Sequence, residues 1–531
     1  MISPSLAMLF LAAMPAHRIA TDSVPLYTNL GTYHRAISTR VAKAQQYFDQ
    51  GLRLVFGFNH GEAIRAFNEA ARLDPNCAMC YWGTALAHGP HVNAPMDSAS
   101  GVAAYAAAQQ ALAHLSHASP QEQAYIRAVA QRYAAVPPAD RAALDSAYAR
   151  AMADVVKQFP NDLDAATLYA EAMMDLRPWD YWKQPSGEPY PGTAEIVALL
   201  ERVVRSNPNH PGACHYYIHA VEAVQPEKAV PCAERLAALM PGDGHMVHMP
   251  AHIYIRVGRY ADAIQSNIHA VHTDETYIAD QRPVGVYPLG YYPHNLHFLS
   301  FAATMAGRSA VAIDAARKLL SKTDLQVARQ VPLLQPFVSF LDVTLVTFAR
   351  WDEVLQQPLP PADIPHANGM AHYARGVAFA ATGKWAEAGT ELDAVKRMVA
   401  TASGGDKVVF EIAMHTLMGE IAARQGQIED AMTHFKAAIS IEDGILYFEP
   451  PTWYYPIRHS LGAVLLKAGR AGEAETVYRE DLKRFPENGW SLFGLAQALH
   501  AQGKHAEASQ TDARFRKAWQ GADVTLAASR F

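Results

Sequence analysis

The chain has 531 residues, half of them hydrophobic and 18% charged, with a formal net charge of -6. No basic cluster or ladder of stacking aromatics is present, which argues against nucleic acid as a partner. Alanine is abundant and runs of β-branched residues are few, so the expected class is all-α.

The chain opens with MISPSLAMLFLAAMPAHRIATDS, apolar from Leu6 to Met14. That stretch has the length of a signal-peptide core, is too short to span a membrane, and lacks a basic start. Residues 1–25 are read either as an export signal, giving a periplasmic or secreted protein, or as a disordered tail of a cytoplasmic one. No other segment approaches ~20 uninterrupted apolar residues, so no transmembrane segment is expected.

A period of about 34 residues follows. In YFDQGLRLVFGFNHGEAIRAFNEAARLDP, the residues Tyr47, Gly51, Leu54, Ala63, Phe67, Ala70 and Pro75 recur at fixed intervals. In HSLGAVLLKAGRAGEAETVYREDLKRFP, the residues Gly462, Leu465, Ala474, Tyr478 and Pro486 keep the same intervals. The turn phrase recurs as GRYADA, GRSAVA, GKWAEA, GQIEDA, GRAGEA and GKHAEA, each with a glycine to end one helix and an alanine to seat the next. These spacings resemble the tetratricopeptide repeat. Wording such as CAMCYWGTALAHGPHVNAPM and HNLHFL is similar to a group of bacterial tetratricopeptide proteins whose function is unknown to us. The resemblance implies an α-solenoid of helix-turn-helix units with inserted loops, whose first helices line a concave surface through repeat positions 2, 5, 9 and 12. The expected organisation is one continuous array over 26–520, a histidine-rich groove over about 160–300, and a C-terminal tail at 521–531.

Cysteines stand at Cys77, Cys80, Cys214 and Cys232. CAMCY has the gap of a metal knuckle or redox pair, but a tyrosine follows Cys80 where c-type haem attachment needs histidine, and no second such pair completes a zinc site. Packing or one disulfide is the reading.

Three insertions interrupt the array: HGPHVNAPMDS, DLRPWDYWKQPSGEPYPG and RPVGVYPLGYYP. Loops of this length in a compact array are usually functional or gate a groove. His60, His88 and His91 either cover the groove or serve as cap and loop residues. Trp179, Tyr181 and Trp182, like Tyr287, Tyr291 and Tyr292, either pack the insertions down or wall a pocket.

Between His210 and His297 lie ten of the 24 histidines, where chance would put about four. Counting back from Ala263 in GHMVHMPAHIYIRVGRYADA, the resemblance puts His245, His248 and His252 at positions 2, 5 and 9. Counting back from Ala312 puts His294 and His297 at positions 2 and 5 of the next repeat. In CHYYIHAVEA, the residues His215, His219 and Glu222 share one helical face. They occupy positions 5, 9 and 12 if the following turn is one residue shorter, and otherwise miss the groove by one step. LDAATLYAEAMMDL places Asp164, Thr167 and Glu171 at positions 2, 5 and 9, with Asp175 one turn beyond Glu171.

Histidine pairs at i, i+3 or i, i+4 reach one transition-metal ion from one helix. His245 and His252 stand about 10.5 Å apart along a helix axis, too far to share an ion. The expected function is therefore a metalloprotein binding copper, zinc or iron through His245, His248, His294 and His297, with His215 and His219 as further ligands. Glu222, His252 and Glu171 are the candidate acid-base or catalytic groups, in a metal-dependent hydrolase or oxidoreductase. The expected partner is a small molecule or peptide in the groove. The alternative is an interaction module receiving a peptide or partner protein there without metal.

Overall fold

The structure, a computed structural model, describes residues 24–530; the apolar stretch Leu6–Met14 lies outside them. Among the described residues the regular structure is helical, with two isolated bridges and no strand. Among the described residues no helix is long and apolar enough to cross a membrane.

The described chain divides into two compact units, one holding residues 24–253 and 269–292, the other 254–268 and 293–530. The first is a run of helical hairpins. α1 (Ala42–Phe56) packs on α2 (His60–Leu73), α3 (Ala78–Ala87) on α4 (Ser98–Ala113), and α5 (Pro120–Ala130) on α6 (Ala142–Gln158). α7 (Leu163–Met174) packs on α8 (Thr193–Ser206), α9 (Pro211–Val221) on α10 (Val230–Leu239), and then come α11 (Gly244–His248) and α12 (Pro250–Arg256), the latter belonging to this unit up to residue 253. In the second unit Pro365–Ala381 pairs with Trp385–Thr401, Gly404–Arg424 with Ile428–Glu442, Arg458–Lys467 with Ala471–Arg484, and Gly489–Ala501 with His505–Ala518.

The repeat spacings have a steric cause. Phe67 lies across Gly51, where an added Cβ would come within 2.7 Å of its ring. Tyr478 is wedged between Gly462 and Gly494, where a Cβ would come within 2.3 and 2.2 Å. In the six turn phrases every glycine takes a φ between 68° and 79°, the left-handed region that ends a helix, and every alanine five residues on is fully buried. Aligned on Ala63, the first repeat carries Phe58 at the glycine position, and Phe58 adopts φ 58°. A bulky side chain there is a true outlier.

Of the two readings of CAMCY, the disulfide is formed, Cys77 to Cys80. Cys214 and Cys232 are buried neighbouring thiols. Residues after Gly521 pack onto the second unit. Asp523 accepts from the amides of Ser309 and Ala310 at 2.6 and 2.9 Å, and Arg530 meets buried Glu420 at 2.6 Å.

Candidate metal centre

The local sequence sets α9 firmly. His210 caps it, accepting from the Ala213 amide at 3.1 Å, and Pro211 follows at the first helical position, where a missing N–H costs nothing. His215 and His219 then stand one turn apart on an inner face, with Glu222 closing the helix; all three are buried. Asp243 caps α11, accepting from the Met246 amide at 3.0 Å. Pro250 cannot donate to the helix, so the chain tightens, and the His252 amide bonds the Met249 carbonyl at 3.2 Å. His245 and His248 thus precede the break and His252 follows it.

Hydrogen bonds decide which nitrogen each imidazole offers. His215 Nδ1 is 2.6 Å from the Phe56 carbonyl oxygen, which only accepts, so Nδ1 carries the proton. Glu222 receives two such protons, from His219 Nδ1 at 3.2 Å on Oε1 and from His252 Nδ1 at 2.7 Å on Oε2. Burial opposes ionisation of Glu222, but His252 and His219 outweigh it and hold its pKa at about 2. In their neutral form His215, His219 and His252 therefore keep Nε2 as the acceptor nitrogen.

Those nitrogens face one another. His215 Nε2 and His219 Nε2 are 3.1 Å apart, and His248 Nε2 and His252 Nε2 are 2.9 Å apart. Between His215 and His219 two lone pairs confront each other with no proton to share, because both protons are committed at Nδ1. Burial holds both imidazoles below their usual pKa, so protonating one is costly. His245 completes the group: one ligand nitrogen from each of His215, His219 and His245 lies within 4.8 Å of the others. Both ring nitrogens of His245 are buried without a hydrogen-bond partner, and unpaired buried polar atoms of this kind are uncommon.

The sequence predicts a groove; the structure instead closes these side chains in, and the first unit's own turns and insertions do it. Phe58 lies 4.5 Å from His215, 6.0 Å from His219 and 5.7 Å from His245, centroid to centroid, and His91 stacks on it at 4.3 Å. Trp179 sits edge-on to His219 at 5.0 Å, and Tyr291 packs on His245 at 4.5 Å. Trp179 also has a positive φ, 64°. Strained aromatic residues that converge on one polar cluster mark a place where the surrounding structure overrides local preference. Phe58 escapes a motif search; its signal is a phenylalanine where the other turns have glycine.

The other predicted site residues have further contacts of their own. Glu171 and Asp175 hydrogen bond to each other and share a single guanidinium, that of fully buried Arg132, which is 2.5 Å from Asp175. One cation neutralises one carboxylate, and burial raises both carboxyls, so the pair keeps one proton. In the second unit His297 lies 4.2 Å from the Phe340 ring and 5.4 Å from that of Phe337, its pKa pressed to about 3 by burial. His294 packs edge-on to Phe298 at 5.3 Å. Asp164, placed with Glu171 by its spacing, is bound to Arg35 at 2.7 Å and His210 at 3.2 Å.

Helical hairpins packed glycine against aromatic, as at Gly51–Phe67 and Gly462–Tyr478, define a repeat protein of the α-solenoid class. The tetratricopeptide repeat model matches residues 465–514, so the chain carries tetratricopeptide repeats in that stretch. Among solved structures, a human IFIT1 dimer with m7Gppp-AAAA is 12% identical over 92% of this chain and 91% of its own, with a TM-score of 0.30. Yeast Tom70 is 11% identical over 92% of this chain and 93% of its own, with a TM-score of 0.27. Superpositions this loose carry no argument about ligands. No curated protein matches the chain in sequence.

Proposed function

We propose that the protein binds a transition-metal ion through Nε2 of His215, Nε2 of His219 and a ring nitrogen of His245. The observation that carries this reading is the pair of lone-pair nitrogens 3.1 Å apart, with both Nδ1 protons tied to fixed acceptors. At ~2.05 Å from each, an ion would see them at about 98°, within reach of tetrahedral or square coordination. A carboxylate on His219 and a carbonyl on His215 are the outer contacts that orient metal-binding imidazoles. Three imidazoles suit zinc, copper or iron and exclude calcium and magnesium.

Elemental analysis of untagged protein, purified without chelators from metal-replete medium, tests the reading. At least one equivalent of zinc, copper or iron is expected; substoichiometric metal that does not rise on reconstitution overturns it.

A second reading is favoured by the repeat match at 465–514: the repeats bind an extended peptide or partner protein, with no metal needed. Partner capture by apo protein that is unchanged by loading or by His215→Ala would favour it.

A further inference from the structure

Resting on that reading, we infer a second metal position in the same unit, built on His248 and His252, with Glu222 as the shared outer contact of both ions. The first unit contains the same construction twice. His215 and His219 are four residues apart on α9, and His248 and His252 are four residues apart across the α11–α12 break. In each pair the Nε2 atoms meet, at 3.1 and 2.9 Å. In each pair the second histidine gives its Nδ1 proton to Glu222, His219 to Oε1 and His252 to Oε2. One carboxylate thereby fixes the tautomer and ring plane in both pairs, each with a metal-facing nitrogen outward.

A single ion cannot serve all five histidines, since metal–nitrogen bonds are only ~2 Å long. The ligand nitrogens of His215, His219 and His245 form one group within 4.8 Å of one another, and His248 and His252 fall in a different group. Two ions, one per pair, satisfy the spacing. His245 stands one turn before His248 with its ring 4.9 Å from that of His215, on the side of the first ion.

The test is copper(II) binding to chelator-stripped full chain, read as metal per protein after desalting. The half-buried pair His415 and His434, whose Nδ1 atoms are 3.2 Å apart, is an independent place where copper could collect. A His415→Gln/His434→Gln background removes it. In that background two equivalents are expected, falling to one in His248→Gln/His252→Gln and to one in His215→Gln/His219→Gln. No copper bound overturns the functional reading itself. One equivalent, unchanged by His248→Gln/His252→Gln, overturns the second position and leaves the first intact. Should a variant lose its helical circular dichroism, electron paramagnetic resonance of the two-copper background protein decides. Spin coupling between neighbouring ions is expected, and two independent mononuclear signals overturn the inference.

Discussion

Glu222 Oε2 accepts from His252 Nδ1 at 2.7 Å across 30 residues of sequence, and this contact determines which nitrogen of neutral His252 is left as the acceptor. The same carboxylate does this for His219 with its other oxygen. An ionised carboxylate can accept from both; an amide has one acceptor oxygen and one donor group. Glu222→Gln should therefore leave one imidazole in the wrong tautomer while keeping volume and fold. Metal affinity is expected to fall about 10- to 100-fold, measured by competition with a chromophoric chelator. Unchanged affinity would show that Glu222 orients neither histidine.

His245 gives a prediction in which stability and binding move in opposite directions. Both its ring nitrogens are buried without a partner, and such atoms cost about 1–3 kcal/mol in the metal-free protein. His245→Phe should leave apo stability equal or raise it by about 1 kcal/mol, while reducing the rise in melting temperature that excess metal gives the parent. A variant that melts earlier as apo protein and still responds fully to metal would place His245 outside the ligand set.

The packing of Tyr478 between two glycines is tested with Gly462→Ala. The new Cβ would fall 2.3 Å from the ring, an overlap that must push the tyrosine off its buried seat. A loss of about 1–3 kcal/mol in denaturant unfolding is expected. Gly469→Ala, a turn glycine at φ 73° with open space around it, should cost about 1 kcal/mol through backbone strain alone.

Glu442 supplies a pH prediction. Burial raises its pKa from 4.5 to about 8 against the pull of Arg484 and Arg458, with Asp481 and Asp443 adding to the rise. The folded chain holds this proton more tightly than the unfolded chain. Its stabilising contribution is therefore complete below about pH 4.5, declines as pH rises toward 8, and is gone above that. Glu442→Gln should be more stable than the parent at pH 7.5 and should flatten this part of the stability profile, whose slope is at most about 1.4 kcal/mol per pH unit for one group. An identical profile in both proteins would refute the assignment.

The repeat fold was legible because its signals are local. Gly51 and Phe67, or Gly462 and Tyr478, sit a fixed number of residues apart, and the turn glycines need only their own φ to end a helix. The helix period also put His215, His219 and Glu222 on one face, and His245 and His248 on another, before any tertiary contact was known. That histidines would share helix faces could be read from spacing, whereas the expectation that those faces turn inward came from the repeat resemblance.

Proton placement could not be read that way, because it depends on acceptors remote in sequence. His215 is fixed by the Phe56 carbonyl 159 residues away, and His252 by a carboxylate on another helix. Closure of the cluster by Phe58, Trp179 and Tyr291 required three separate turns and insertions to converge. Glu171 has a spacing that fits the inner face, yet the nearby guanidinium of Arg132 draws it and Asp175 into their own buried network. Helical periodicity fixes the direction of a side chain from its own backbone, whereas tautomer, enclosure and charge pairing are set by groups that only folding brings within bonding distance.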